Sequence, residues 1–212
     1  MQDLATALDI SRKGTKVRPT HSFLGALRLD RGRVHEFCGP ARRSLALMAA
    51  GGVAGGVAGG QGGSAGGPVL WIAPGWMPER LSAEGLLPFL NPGRLIFVLP
   101  KRADDLLWVM EEALRSAAVP LVVADLPELP GLTPVRRLQL AAEAGAATGA
   151  APLGLILTPG DGGASGVESR WHLAPAHGAT TSNWQLQRRR ARMEPPKAWE
   201  LRQRDDGLRL VG

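Results

Sequence analysis

Four short apolar runs between Pro68 and Pro159 restrict the possible folds of this chain more than any other feature of it. VLWIA (69–73), LIFVL (95–99), PLVVAD (120–125) and LGLILT (153–158) lack polar alternation, and Pro74, Pro100 and Pro159 stop three of them. Strands that are apolar on both sides must be covered on both faces, which is the condition of a buried parallel sheet. The segments between them supply the cover. Residues 104–118, DDLLWVMEEALRSAA, have helical period: Leu107, Met110, Leu114 and Ala117 share one face, and Glu111, Glu112 and Arg115 point away from it. Asp104 or Asp105 is the expected N-cap, with Pro120 just beyond the helix. A second helix is expected over 133–145, TPVRRLQLAAEAG, with Thr133 as N-cap, Pro134 at the first helical position and Gly145 at its close. The fold class is α/β, a mostly parallel twisted sheet flanked by helices.

Beyond Pro159 the pattern changes. After the loop GDGGASGVES come RWHLAP (170–175), NWQLQRRRAR (183–192), AWELRQR (198–204) and LRLVG (208–212). Trp171 and Leu173, Trp184 and Leu186, and Trp199 and Leu201 alternate with polar residues, the period of half-buried antiparallel strands. The repeated W-x-L predicts neighbouring strands that present the same kind of face, in a small C-terminal β-meander. The chain therefore divides into a basic arm (1–20), an α/β core (21–160) and a β-rich, Arg/Trp-rich segment (161–212). The glycine-rich tract 49–67 reads as a solvated loop within the core, because glycine loses so much entropy on ordering.

The net charge is +6 and the excess is uneven, with RRRAR packed into residues 188–192. Such a segment attracts either phosphate backbones or an acidic protein face, and charge alone does not choose between them. One cysteine, Cys38, excludes an internal disulfide and fits a reducing, cytoplasmic setting. His21, His35, His172 and His177 are too dispersed for a metal site, and no metal or other cofactor is expected. The polar N-terminus has no secretory apolar region, and LALMAAGGVAGGVAGG is too short and too glycine-rich to span a bilayer.

Chemistry would most naturally sit at GPARRSLAL (39–47), where a short apolar segment containing Val34 and Phe37 runs into Gly39-Pro40 and then a helix-like stretch. A phosphate loop there requires G-x-x-x-x-G-K-[ST], so that backbone N–H groups, a lysine and a hydroxyl share the phosphates and Mg²⁺. Counting from Gly39 puts Ser44 where the second glycine belongs and Leu45 where the lysine belongs. Arg42 and Arg43 occupy this short turn, either as partial substitutes for the lysine or as a solvated edge. Asp125, at the C-terminal tip of a buried strand, stands where open α/β folds bind ligands. It would organise Mg²⁺ if the loop were intact, and otherwise caps the following loop. Ser44 has no evident base, Cys38 reads as core, and no other catalytic set emerges. Arg188, Arg189, Arg190 and Arg192 beside Trp184 combine aromatic surface with positive charge, which suits single-stranded nucleic acid or an acidic partner.

Several of these stretches resemble one family. GRVHEFCGP…SLALMAA is similar to the entry into the core of RecA recombinases, and EEALRSAAVPLVVADL to the RecA helix and strand that end in V-V-D. GPVLWIAPGW, PGRLIFVLPKRADDLLWVMEEALRSAAVPLVVADLP, LTPVRRLQLAAEAG and the terminal W-x-L strands resemble the ImuA-like branch more closely, over roughly residues 23–203. The resemblance implies a RecA-like core and a role in DNA-damage-induced (SOS) mutagenesis and translesion synthesis. Implied partners are ImuB, a relative of Y-family polymerases that has lost catalysis, RecA itself, and indirectly an error-prone C-family DNA polymerase. The phosphate loop departs from RecA in lacking its lysine and hydroxyl, and IAPGWMP stands where RecA carries a catalytic glutamate. The expectation is a non-hydrolysing adaptor rather than an enzyme. The alternatives are a residual ATPase working through Arg42, Arg43 and Asp125, and a simple single-stranded DNA-binding module. Phe23-Leu24-Gly25-Ala26 also spells F-x-x-A, by which some recombinase relatives dock on a neighbouring subunit.

Overall fold

The computed structural model describes residues 18–25, 27–53, 67–204 and 207–211. The arm, save its last residues, and most of the glycine-rich tract lie outside them. Two strands, β1 (Thr20–Phe23) and β2 (Leu27–Asp30), form an antiparallel hairpin that the sequence reading did not anticipate. The main sheet begins at β3 (Arg33–Cys38), which leads through a turn into α1 (Arg42–Val53). Residues 49–53, expected in the loop, are thus the last part of a helix. Their alanines and glycines let α1 lie close on its neighbours, and a side chain at Gly51 would meet the Phe89 carbonyl at 2.5 Å.

The four apolar runs form β4 (Val69–Ile72), β5 (Leu95–Val98), β6 (Leu121–Asp125) and β7 (Leu153–Leu157). A one-turn helix, α2 (Ala83–Leu86), lies between β4 and β5; α3 (Ala103–Ser116) and α4 (Leu132–Ala147) precede β6 and β7. The C-terminal part supplies β8 (Ser169–Pro175), β9 (Asn183–Ala191), β10 (Lys197–Arg204) and β11 (Gly207–Val211). All but the hairpin join one sheet in the order β11-β10-β9-β8-β3-β7-β6-β4-β5. From β8 to β5 the strands are parallel; from β8 to β11 they are antiparallel. The W-x-L segments form the expected antiparallel run, but it continues the main sheet: β8 pairs antiparallel with β9 on one side and parallel with β3 on the other.

The sheet has two unlike faces. On one, α1 and the hairpin cover Phe37, Trp71, Val123 and Leu155, and the W-x-L residues Trp171, Leu173, Leu186 and Leu201 extend the same apolar layer. Phe23 is buried there, edge-on to Trp171 at 5.5 Å. It is consumed within its own chain and is not free to dock on a neighbour; Ala26, the last residue of that pattern, lies outside the described residues. On the other face α3 and α4 cover Val34, Ile72, Val122 and Ile156.

Several local expectations are corrected. α3 starts at Ala103 after an extended Arg102, so Asp104 and Asp105 sit in its first turn, where they favour the helix dipole without capping it. α4 starts at Leu132 after Gly131, which places Thr133 and Pro134 inside the first turn. The buried face of α3 is Leu106, Met110 and Leu114, with Leu107 half-buried. Glu111 is buried too, because α4 brings Arg137 to within 2.7 Å of it while Arg115 of its own helix lies 2.6 Å away. Burial of a carboxylate is tolerated when two guanidinium groups answer it.

Candidate functional site

The turn from β3 to α1 lies at the C-terminal ends of the parallel strands, the side on which open α/β sheets bind ligands. Gly39 has φ +90°, and a Cβ there would stand 2.5 Å from the Leu173 carbonyl and 2.8 Å from the His172 ring. Only glycine lets β8 come this close. Three backbone donors of the turn are already used. Gly39 N–H donates to the Gly160 carbonyl (2.8 Å), Ala41 N–H to Leu173 (3.1 Å) and Arg42 N–H back to Gly39 (3.2 Å), while Pro40 has no N–H to offer. These three amides thus bind protein carbonyls and do not face a phosphate.

The side chains are committed in the same way. Asp125 is 3% exposed at the tip of β6. Arg43 Nε donates to its Oδ2 at 2.5 Å, and Arg42 Nε lies 3.7 Å from Oδ1. Both arginines are half-buried and fold back onto the carboxylate; they are neither a solvated edge nor turned out to a ligand. Two cations in the first turn of α1 oppose the helix dipole, and Asp125 offsets them. The carboxylate placed to organise Mg²⁺ therefore serves an internal ion-pair cluster, and its expected alternative, capping the loop after β6, gives way to the same contacts. Ser44 lies half-buried in the first turn of α1.

Beside this cluster lies the loop from β7 to β8, residues 158–168, organised by a residue that sequence reasoning passed over. Glu36 is fully buried in the middle of β3. Its Oε1 accepts from Thr158 Oγ1 (2.7 Å), Gly163 N–H (2.8 Å) and Ala164 N–H (3.1 Å), and its Oε2 from Arg170 Nε (2.5 Å). Gly162 must be glycine, since its φ is +73° and a Cβ would press on Glu36 Oε1 at 2.8 Å. A carboxylate directly before the apolar pair Phe37-Cys38 in VHEFC was the available signal. Cys38 on the same strand is buried, its thiol pushed up to about 12 by that burial and by Glu36. It is a core residue, as its setting in the sequence suggests.

The C-terminal arginines separate into different roles. Arg188 is buried: its guanidinium lies 5.5 and 5.4 Å from the ring centres of Trp171 and Trp199, and it donates to the Pro195 carbonyl and to Glu194. It is removed from the basic strip expected at 188–192, because β9 turns it to the tryptophan face. Arg189 sits at the bulge opposite Arg170 and Trp171 and holds Asp161 at 3.0 Å. Arg190 and Arg192 are exposed. Trp184 is half-buried, edge-on to His177 at 5.0 Å and packed on the rim of the core. The nucleotide-site positions are thus brought together, whereas the partner-binding set is divided between core and surface.

No family model matches the sequence, and a search of curated proteins finds no similar one.

Among the described residues no group of three His, Cys, Asp or Glu is arranged to hold a metal ion. No described helix is long and apolar enough to cross a membrane. One surface open to a ligand or partner is the sheet face beyond α4. There Gln185, Gln187, Arg190, Glu200, Arg202 and Arg204 project from β9 and β10 on the side away from the tryptophans.

Proposed function

We propose that this chain is a non-hydrolysing, RecA-like adaptor of DNA-damage-induced mutagenesis, joining RecA or single-stranded DNA to a translesion polymerase complex through ImuB. Supporting the adaptor half of this reading is one observation: Asp125 is sealed by Arg42 and Arg43, beside a turn whose Gly39, Ala41 and Arg42 amides are bonded to protein carbonyls. A site so filled withholds from a nucleotide its carboxylate and three of its amides, while the surrounding α/β core remains fully built. Supporting the RecA-like half are the sequence stretches around Gly39 and Asp125 and the parallel sheet that carries them.

The test is co-purification of the full-length chain with ImuB and with RecA, together with an ATP-turnover assay. The expected result is association with at least one of the two and no steady turnover. Sustained hydrolysis by the intact protein returns the ATPase reading, and failure to associate with either partner ends the adaptor reading. The exposed Arg190 and Arg192 supply the charge, though no stacking surface, for a second reading, direct single-stranded DNA binding. It requires affinity that falls steeply with salt, and a shallower slope when both become alanine.

A further inference from the structure

Where α4 ends the helical layer, an open hollow of about 590 Å³ runs between this helix and the end of β9. Arg33, Arg136, Arg190 and Arg192 converge on it. Arg33 is 8% exposed; it pairs with Glu143, lies 3.5 Å from Glu168, and keeps a buried Nε with no hydrogen bond. Burial and repulsion from Arg18 and Arg192 lower its affinity for its proton. Arg192 lies 3.6 Å from the same Glu168. Arg136 and Arg190 have no ion-pair partner among the described residues. Four cations thus face two carboxylates, and the surplus is positive.

The wall of the hollow is rigid and partly apolar. Gln139 bridges α4 to β3 and the loop before β8, donating to the Val34 and Gly166 carbonyls and accepting from Val34 N–H. On the outer face of α4, Leu132, Arg136 and Leu140 recur every four residues and so form one stripe. The two leucines are 42% and 64% exposed. No aromatic residue lines the hollow, and Trp171, Trp184 and Trp199 belong to the opposite face of the sheet. Single-stranded nucleic acid needs stacking surfaces beside its phosphate contacts, and this hollow has none. Leucines spaced around a cation instead match a helix that carries aliphatic and acidic residues in turn.

We propose that the groove between α4 and the end of β9 binds an acidic amphipathic helix of a partner protein, with Arg136 and Arg190 meeting its carboxylates and Leu132 and Leu140 its aliphatic side chains. This deepens the adaptor reading and rests on it for the partner's identity, but not for the chemistry of the groove.

The experiment uses the full-length chain and a fluorescein-labelled peptide of about five helical turns, with glutamate and leucine at four-residue spacing. Anisotropy should report saturable binding that weakens roughly tenfold in Arg136→Glu, Arg190→Glu and Leu140→Ser, each an exposed position. A control peptide with every glutamate replaced by glutamine should bind far more weakly. The proposal is overturned if the acidic peptide does not bind, or if the three variants bind it as the parent does. It also fails if a labelled oligo-dT binds and the same substitutions release it, or if they instead dissociate a dimer of the chain. Peptide binding without ImuB or RecA co-purification leaves the groove standing and removes the adaptor identity; co-purification untouched by the variants, with no peptide binding, does the reverse.

Discussion

Asp125 shows how one carboxylate can be redirected by its neighbours. Its two arginine contacts neutralise charge that the start of α1 would otherwise repel, so Asp125→Asn leaves two partly buried guanidinium groups unanswered. The expected loss is about 3 kcal/mol, read from urea denaturation at neutral pH. His35 gives a second prediction. It is fully enclosed, its Nε2–H donates to the Asp30 carbonyl at 3.0 Å, and its Nδ1 accepts from Ser169 Oγ at 2.7 Å. Trp171 Nε1–H in turn donates to that hydroxyl, so the neutral ring completes the chain of bonds. Burial pushes its pKa down from 6.5 to about 4. The unfolded chain therefore takes up a proton that the folded one refuses: stability is full above pH 6.5 and falls as the pH drops toward 4. The loss from this group is roughly 3 kcal/mol, and the imidazole resonances of the native protein should stay in their neutral positions down to about pH 5.

Among the elements, the loop between β7 and β8 depends most on a single side chain. Glu36→Gln removes the charge that Arg170 answers and aims an amide N–H₂ at groups that are themselves donors. A destabilisation of about 3 kcal/mol is expected, with faster proteolytic cleavage between residues 159 and 168 as the local readout. Arg188→Ala removes a cation that lies against a stacked pair of tryptophans and its bonds to Pro195, at an expected cost of about 2 kcal/mol in the same denaturation assay. Legibility in the sequence follows from the range of the forces involved. β4, β6, β7 and the W-x-L strands are visible because burial on one or both faces imposes a local period on the residues themselves. β5 is as apolar in sequence, yet it is the edge strand, with Ile96 and Phe97 47% and 44% exposed, and the burial expected of it is not found. Glu36 is not, since the groups that satisfy it lie more than a hundred residues further along the chain. Glu111 misleads for the same reason, as Arg137 comes from a different helix. The hairpin of β1 and β2 escapes notice because its strands are only four residues each and their apolar side, Phe23, Leu27 and Leu29, is defined by α1. At the candidate site, the missing lysine is written in the residues, but the occupied amides of Gly39 and Ala41 belong to the fold.

In the whole molecule, the continuity of the sheet decides which experiments are meaningful. β8 pairs directly with β3, and the tryptophan layer of β8 to β10 closes the same core as Phe23 and Phe37. Removing residues 165–212 would uncover that layer and free one edge of β3. The truncated chain is therefore expected to aggregate or to lose its cooperative unfolding transition, which calorimetry would show. Surface substitutions on the intact protein are the informative probes of partner binding. The same continuity governs what engineering can achieve at the β3–α1 turn. Placing a lysine and a threonine there would add new side chains, but the Gly160 and Leu173 carbonyls would keep their amides, and β8 would still press on Gly39. Installing a working nucleotide pocket therefore calls for a longer turn and a displaced β8 first, so residue exchange alone cannot reverse the arrangement.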